Sequence, residues 1–395
     1  MRSKKSLLGI CIVWAIFICL NSPQATLAQS DVIKMGFEGS LTGPKAEWGQ
    51  SALQGFEIAL EEINKKGGIL GKKVVSIVRD DEAKPPKGIS NVQEMVHKEG
   101  MHAMVGPVDS GTALAFIHIL QEAKIPMVSY CASATKITNR YKDEPKNYIF
   151  GNTLMDEYQT RLLIRWASKK FKKIAFLVNS TGYGQLGLGD YLKRMKELNV
   201  KPVAIEKFNT GDQDVTSQLT KIRSAEADAV GVYAIAPEAS TIVRSMAKIN
   251  YRPQVFGSWA LLQPNIIDLA GEDLVNGLIM ATSYTEDTNE RTKALAEKIR
   301  AKYGEIIMFV VSGQCYDAVR MLAAAMEKAG TTEGEKVRDA LENLTNFQSL
   351  YGTIERPYTK DRHQAIPPNK IHLGVWKNGK VVKYEDEVTK ALGIR

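Results

Sequence analysis

The sequence predicts an α/β protein made of two doubly wound parallel sheets. From residue 33 onward, short apolar runs of strand length alternate with amphipathic runs, most of them twelve or more residues long, which is the pattern of βαβ units. The alternation begins again after Asp156 with a second full series, and two series imply two lobes. The length agrees, since 395 residues less a short leader suffice for two lobes at roughly 100 to 200 residues per domain.

The chain starts with a leader. Arg2, Lys4 and Lys5 form a basic start, 7–20 is an almost unbroken apolar run, and the small residues of ATLA at 25–28 suit cleavage after Ala28. The run is short for a membrane span of roughly 20 residues, and Ile18 before Cys19 is a poor match to a lipoprotein signal, so a cleaved signal peptide over 1–28 and export to the periplasm are expected. Next comes a strand at 33–38, ended by Gly39, Gly43 and Pro44, which cannot continue a ladder. From Gln50 the apolar Ala52, Leu53, Phe56, Ala59, Leu60 and Ile63 recur with a period near 3.6, so one face of a helix meets a core until Gly67 and Gly68 stop it. A loop between a strand's carboxyl end and a helix is where open α/β sheets bind ligands.

Further strands are expected at 74–79, 102–106, 126–130 and 148–151. The second series runs strand 173–178, helix 186–198, strand 202–208, helix 215–224, strand 229–235, helix 237–249 and strand 255–258. A strand at 277–282, helices from Arg291 and Gly313, a strand at 349–354 and a hairpin turning at Asn378-Gly379 complete the chain.

GPKAEWG, a helix ending NKKGGILGKKV and a strand ending RDDEAKP together resemble the start of leucine/isoleucine/valine-binding proteins, and the resemblance recurs from about residue 33 to about 379. It implies the type I periplasmic binding protein fold, two lobes joined by a three-segment hinge crossed near Asn152, Ser283 and Glu355. Lobe 1 then takes 30–152 and 284–354, and lobe 2 takes 153–283 and 355–395. The implied role is the solute-binding subunit of an ABC importer, a monomer that binds a small molecule, needs no cofactor or metal, and docks on a membrane permease. The disulfide frequent in that family has no counterpart here, because Ala83 and Asp109 stand at its positions. Cys131 and Cys315 remain as a possible pair or as two buried thiols.

Composition argues against other classes. The formal charge is +8, of which the leader carries three, and the rest is spread over amphipathic faces such as KKFKK at 169–173, without the basic stripe and stacking rings that nucleic acids need. The five histidines (97, 102, 118, 363 and 372) do not pair at helix-face spacing, and no metal, nucleophile or phosphate-loop motif occurs. The glycines of YGQLGLGD at 183–190 do not fit the dinucleotide fingerprint. A non-enzymatic binder is therefore expected.

The site is expected between the lobes. GPVDSGT at 106–112 opens a helix, so the Ser110 hydroxyl and free backbone N–H groups there suit an anion, although an ordinary serine cap demands the same residue. The resemblance implies a second hydroxyl from Thr135 in VSYCASATKIT, acting with the Ser133 carbonyl across Ala134. The chain carries two more residues between Ser110 and Thr135 than those relatives do. Trp48 and Tyr183 match ligand-facing rings of the family. Trp259 stands where branched-chain amino-acid binders place an acid for the ligand's ammonium, and Ile235 where they often have tyrosine. Either Asp109 or Glu238 serves an amine, or the ligand has none, and the three rings favour a hydrophobic or aromatic carboxylate. A ligand sensor of the same fold, an amide or urea binder and a secreted hydrolase are the alternatives.

Overall fold

The computed structural model describes residues 32–394, so the leader expected at 1–28, with Cys11 and Cys19, lies outside them. The first lobe runs β1 (Ile33–Gly39), α1 (Ala46–Lys65), β2 (Val74–Asp80), α2 (Pro85–His97), β3 (Ala103–Val105), α3 (Ser110–Glu122), β4 (Met127–Ser129), α4 (Thr135–Asn139) and β5 (Ile149–Gly151). Its five strands are all parallel, in the order β2-β1-β3-β4-β5. Positive φ at Gly67 and Gly68 ends the chain's helical run after α1, as glycine permits.

The second lobe begins with α5 (Asp156–Lys170) and β6 (Ile174–Asn179), then α6 (Gly182–Glu197), β7 (Ala204–Phe208), α7 (Thr216–Ser224), β8 (Ala229–Tyr233), α8 (Ala236–Lys248) and β9 (Gln254–Gly257). The short helices α9 (Ile266–Ala270) and α10 (Glu272–Val275) lead to β10 (Ile279–Thr282). The chain then returns to the first lobe as α11 (Glu290–Tyr303), α12 (Phe309–Ala329), α13 (Gly334–Glu342), β11 (Phe347–Ser349) and β12 (Gly352–Ile354). It ends in the second lobe with β13 (His372–Lys377), β14 (Lys380–Lys383) and α14 (Glu387–Ala391). This sheet is ordered β14-β13-β10-β9-β8-β6-β7, parallel except for the two last strands in sequence. The backbone thus passes between lobes three times, after β5, β10 and β12, as a type I periplasmic binding fold does.

α12 belongs to the first lobe because it lies backbone to backbone on α1: a Cβ at Gly55 would sit 1.9 Å from the Ser312 carbonyl oxygen. Two elements differ from expectation. The strand expected at 349–354 is a hairpin, since Gly352 at φ 101° reverses the chain while Leu350 and Tyr351 turn into the core. α6 starts at Gly182, four residues early, because Asn179 Oδ1 accepts from the Gly184 N–H at 3.1 Å and Gly187 packs on the Tyr233 ring.

Candidate ligand-binding cleft

In both sheets the strand order reverses beside the first strand, between β1 and β3 in one lobe and between β6 and β8 in the other. Such reversals open a crevice at the carboxyl ends of the strands. Here the two crevices face each other. The loops after β1, β3 and β4 bring Lys45, Trp48, Asp109, Ser110 and Ser133, and those after β6, β8 and β9 bring Tyr183, Ile235 and Trp259, around one narrow cleft.

Ser110 is the first residue of the 13-residue α3, and the cap is its neighbour: Asp109 Oδ1 accepts from the Thr112 N–H at 2.8 Å and from its hydroxyl at 3.2 Å. The serine is therefore not spent on capping. Its Oγ accepts only a long bond, 3.3 Å, from the Ala134 N–H. Ser133 is 2% exposed; its hydroxyl lies beside the Asp156 carboxyl without reaching hydrogen-bond geometry, and its carbonyl accepts from the Asp156 N–H at 2.8 Å. Buried hydroxyls are normally satisfied. Ser133 lines the cleft, with its hydroxyl beside the buried Asp156.

Rings close the walls. Trp48 from the first lobe and Trp259 from the second meet edge to face, centroids 5.0 Å apart at 79°. Trp48 Nε1 donates to Gln263 Oε1 at 2.9 Å, and Gln263 Nε2 donates back across the cleft to Glu47 Oε2 at 2.8 Å. The Tyr183 hydroxyl is 2.5 Å from Ser258 Oγ, and its ring leans on Tyr233.

Seven of the ten expected site residues meet at the cleft, and three do not line it. The Thr135 hydroxyl is committed away from it, donating to Asp190 Oδ2 at 2.7 Å and accepting from the Glu157 N–H at 2.8 Å; Ser133, two residues earlier, lines the cleft in its place. Ala134 lies behind, reaching Ser110 through its N–H. Glu238 is held at the start of α8, its two oxygens taken by Asn179 Nδ2 at 2.8 Å, the Ile235 N–H at 3.1 Å and Thr210 Oγ1 at 2.8 Å, so it is not free for an amine. Asp109 lines the cleft but is committed to Thr112 and to an ion pair with Lys45. Burial opposes ionisation at Asp109, yet the Lys45 ammonium and the Thr112 hydrogen bonds together outweigh it and hold the carboxyl below its usual range.

Sequence reasoning missed Lys45, Val108, Cys131 and Ala260. A lysine beside Gly43 and Pro44 reads as a solvated loop charge, and only the fold turns it inward. Cys131 and Cys315 are both free and buried, and burial pushes the Cys131 thiol well up, so it stays protonated. Among the described residues there is no group of His, Cys, Asp and Glu suited to a metal, and no helix is long and apolar enough to cross a membrane.

A family profile described as "Periplasmic binding protein" matches residues 32–380. A Leu/Ile/Val-binding protein of Rhizobium johnstonii is 30% identical over 364 residues, 91% of this chain and 96% of that one. The chain belongs to the leucine/isoleucine/valine-binding family of periplasmic binding proteins. This is a family of solute binders rather than enzymes. A second member, a leucine-, isoleucine-, valine-, threonine- and alanine-binding protein of Pseudomonas aeruginosa, is 27% identical over 82% of this chain and 86% of its own. The fold has solved counterparts. A type 1 periplasmic binding protein of Bordetella pertussis superposes with a TM-score of 0.82 at 24% identity, covering 90% of this chain and 100% of that one. A branched-chain amino acid transporter substrate-binding protein of Streptococcus pneumoniae, solved with isoleucine, gives 0.77 at 24% identity, covering 89% and 100%.

Proposed function

We propose that this protein is the exported, monomeric solute-binding subunit of an ABC importer. It captures a small hydrophobic carboxylate, either an amino acid or a related aliphatic or aromatic acid, by closing its lobes, and hands it to a membrane permease. The observation that carries this reading is the convergence of Ser110, at the N-terminus of α3, and Ser133 on a cleft walled by rings from both lobes. Backbone N–H groups and dipole at a helix N-terminus favour an anion, and closure excludes water from those contacts. Relatives named for leucine, isoleucine and valine support a ligand of that size. The protein performs no chemistry on its ligand and uses no cofactor. In this reading the carboxylate meets the first lobe, then the second lobe swings in about the three linking segments, which lie at 152, 283 and 355.

A thermal-shift screen of amino acids against aliphatic and aromatic acids, followed by calorimetry, tests it. With the best ligand, Ser110→Ala combined with Ser133→Ala is expected to weaken binding about 100-fold or more, each charged hydrogen bond contributing about 1.5–3 kcal/mol. Thr135→Ala, which removes a bond to Asp190, is expected to lower stability and leave affinity within about threefold. Unchanged affinity in the double variant would remove these serines from the site.

A further inference from the structure

The cleft contains a fixed positive charge that capture of an α-amino acid does not require. The Lys45 side chain is 14% exposed, its ammonium paired with Asp109 Oδ2 and 5.8 Å from the centroid of the Tyr183 ring. Asp109 immediately precedes Ser110 in sequence, and Lys45, Asp109 and Ser110 all line the cleft. An ammonium has three donors, and Asp109 is its one hydrogen-bond acceptor among the described residues. A half-buried ammonium with donors to spare has room for a second acceptor. The negative side of the ledger is closed: Asp109 already takes Thr112 and Lys45, Glu238 is bound on both oxygens, and an indole stands at position 259. Asp156, behind Ser133, and Glu47, tied to Gln263 through Oε2, do not line the cleft. A ligand ammonium placed beside the carboxylate would meet Lys45 and no free acid.

We propose that Lys45 is a specificity-determining ligand contact whose ammonium, anchored by Asp109, pairs with the ligand carboxylate seated at Ser110, so that the site takes an amine-free hydrophobic monocarboxylate in preference to the α-amino acid with the same side chain. This rests on the reading of the cleft as a carboxylate trap. Burial alone disfavours the charge, but the Asp109 carboxylate, helped by the more distant Glu238, offsets it and holds the Lys45 amine above its usual range, so the cation persists at neutral pH. The proposal also gives the missing acid at Trp259 a reason, since a ligand without an amine needs none.

Calorimetry on the mature protein with matched pairs decides it: leucine against 4-methyl-2-oxopentanoate, and phenylalanine against 3-phenylpropanoate. The amine-free member of at least one pair is expected to bind about tenfold or more tightly than its amino acid. Lys45→Met combined with Asp109→Asn, which leaves no unpaired charge, is expected to lose about 10- to 100-fold in affinity for the acid, while the amino acid, which loses the same contact but also the repulsion of its ammonium, loses less. Lys45→Arg should retain most of the acid affinity. Tighter binding of the amino acids by the unaltered protein, or undiminished acid binding by the neutral double variant, would overturn the role of Lys45 and leave the carboxylate trap standing. Binding of neither member of either pair, with no thermal shift from any carboxylate, would overturn both.

Discussion

Asp156 shows how one buried side chain behind the cleft links stability to pH. It is fully buried, and Oδ2 has no hydrogen-bond partner in the protein. Burial pushes its carboxyl up to about 7, helped by the nearby Asp190 and opposed by the Ser133 and Tyr233 hydroxyls beside it. In the unfolded chain it titrates near the ordinary value of about 3.9, so between the two the folded protein holds the extra proton. This contribution to stability is complete below about pH 4, falls as pH rises towards 7 and is flat above, on the order of 4 kcal/mol in all. Asp156→Asn is expected to match the unaltered protein near pH 4.5 and exceed it at pH 8 in urea unfolding, with a residual slope from Glu38 and Asp81, also raised by burial. Parallel curves for the two proteins would show that Asp156 does not titrate this way. Residue identities at the cleft were legible in the sequence where a strand, a loop and a helix fix the direction of a side chain, as at Ser110, Trp48 and Tyr183. They were not legible where two hydroxyls stand two residues apart: α4 starts at Thr135, which turns that hydroxyl to Asp190 and leaves Ser133 lining the cleft. Nor was Lys45, whose direction depends on Asp109 more than 60 residues away.

At the scale of elements, α1 and the 3₁₀ turn Trp259–Leu262 are joined across the cleft by Gln263, which is 1% exposed. Its Oε1 accepts from Trp48 Nε1 and from the Ala236 N–H at 3.2 Å while its Nε2 reaches Glu47, so one amide from the second lobe ties three groups. Two such bonds and the Trp48–Trp259 pair stabilise the closed arrangement by roughly 2–4 kcal/mol without touching a ligand. Gln263→Leu is expected to weaken ligand binding about 5- to 50-fold, mainly through faster dissociation, because the liganded closed state loses the clasp. Stopped-flow fluorescence gives both rates; an unchanged off-rate would mean that the lobes are held by the ligand alone. Most elements could be read from periodicity and punctuation, since strands buried on both faces and helices with one apolar stripe leave distinct patterns. The start of α6 could not, because GYGQLGLG looks like a loop until Tyr233 is found packed on Gly187, where no side chain would fit. The hairpin at 347–354 was likewise hidden, its turn residues Leu350 and Tyr351 being apolar and buried.

For the whole molecule, the order of strands is what places function. Each sheet reverses beside its first strand, and the two reversals face each other across three linking segments, so ligand groups carried on separate loops converge only when the lobes meet. Two sheets could be foreseen from two series of βαβ units, whereas the clasp, the Lys45–Asp109 pair and the place of Ser133 belong to contacts between segments far apart in sequence. The account rests on a carboxylate held at the N-terminus of α3 inside the closed cleft. A crystal structure of the protein with the best carboxylate from the screen tests this most directly. The carboxylate oxygens are expected within hydrogen-bond distance of Ser110 Oγ and Ser133 Oγ, with the apolar end between Trp48, Tyr183 and Trp259. A ligand seated elsewhere, or lying in the cleft with its carboxylate turned away from α3, would contradict the account.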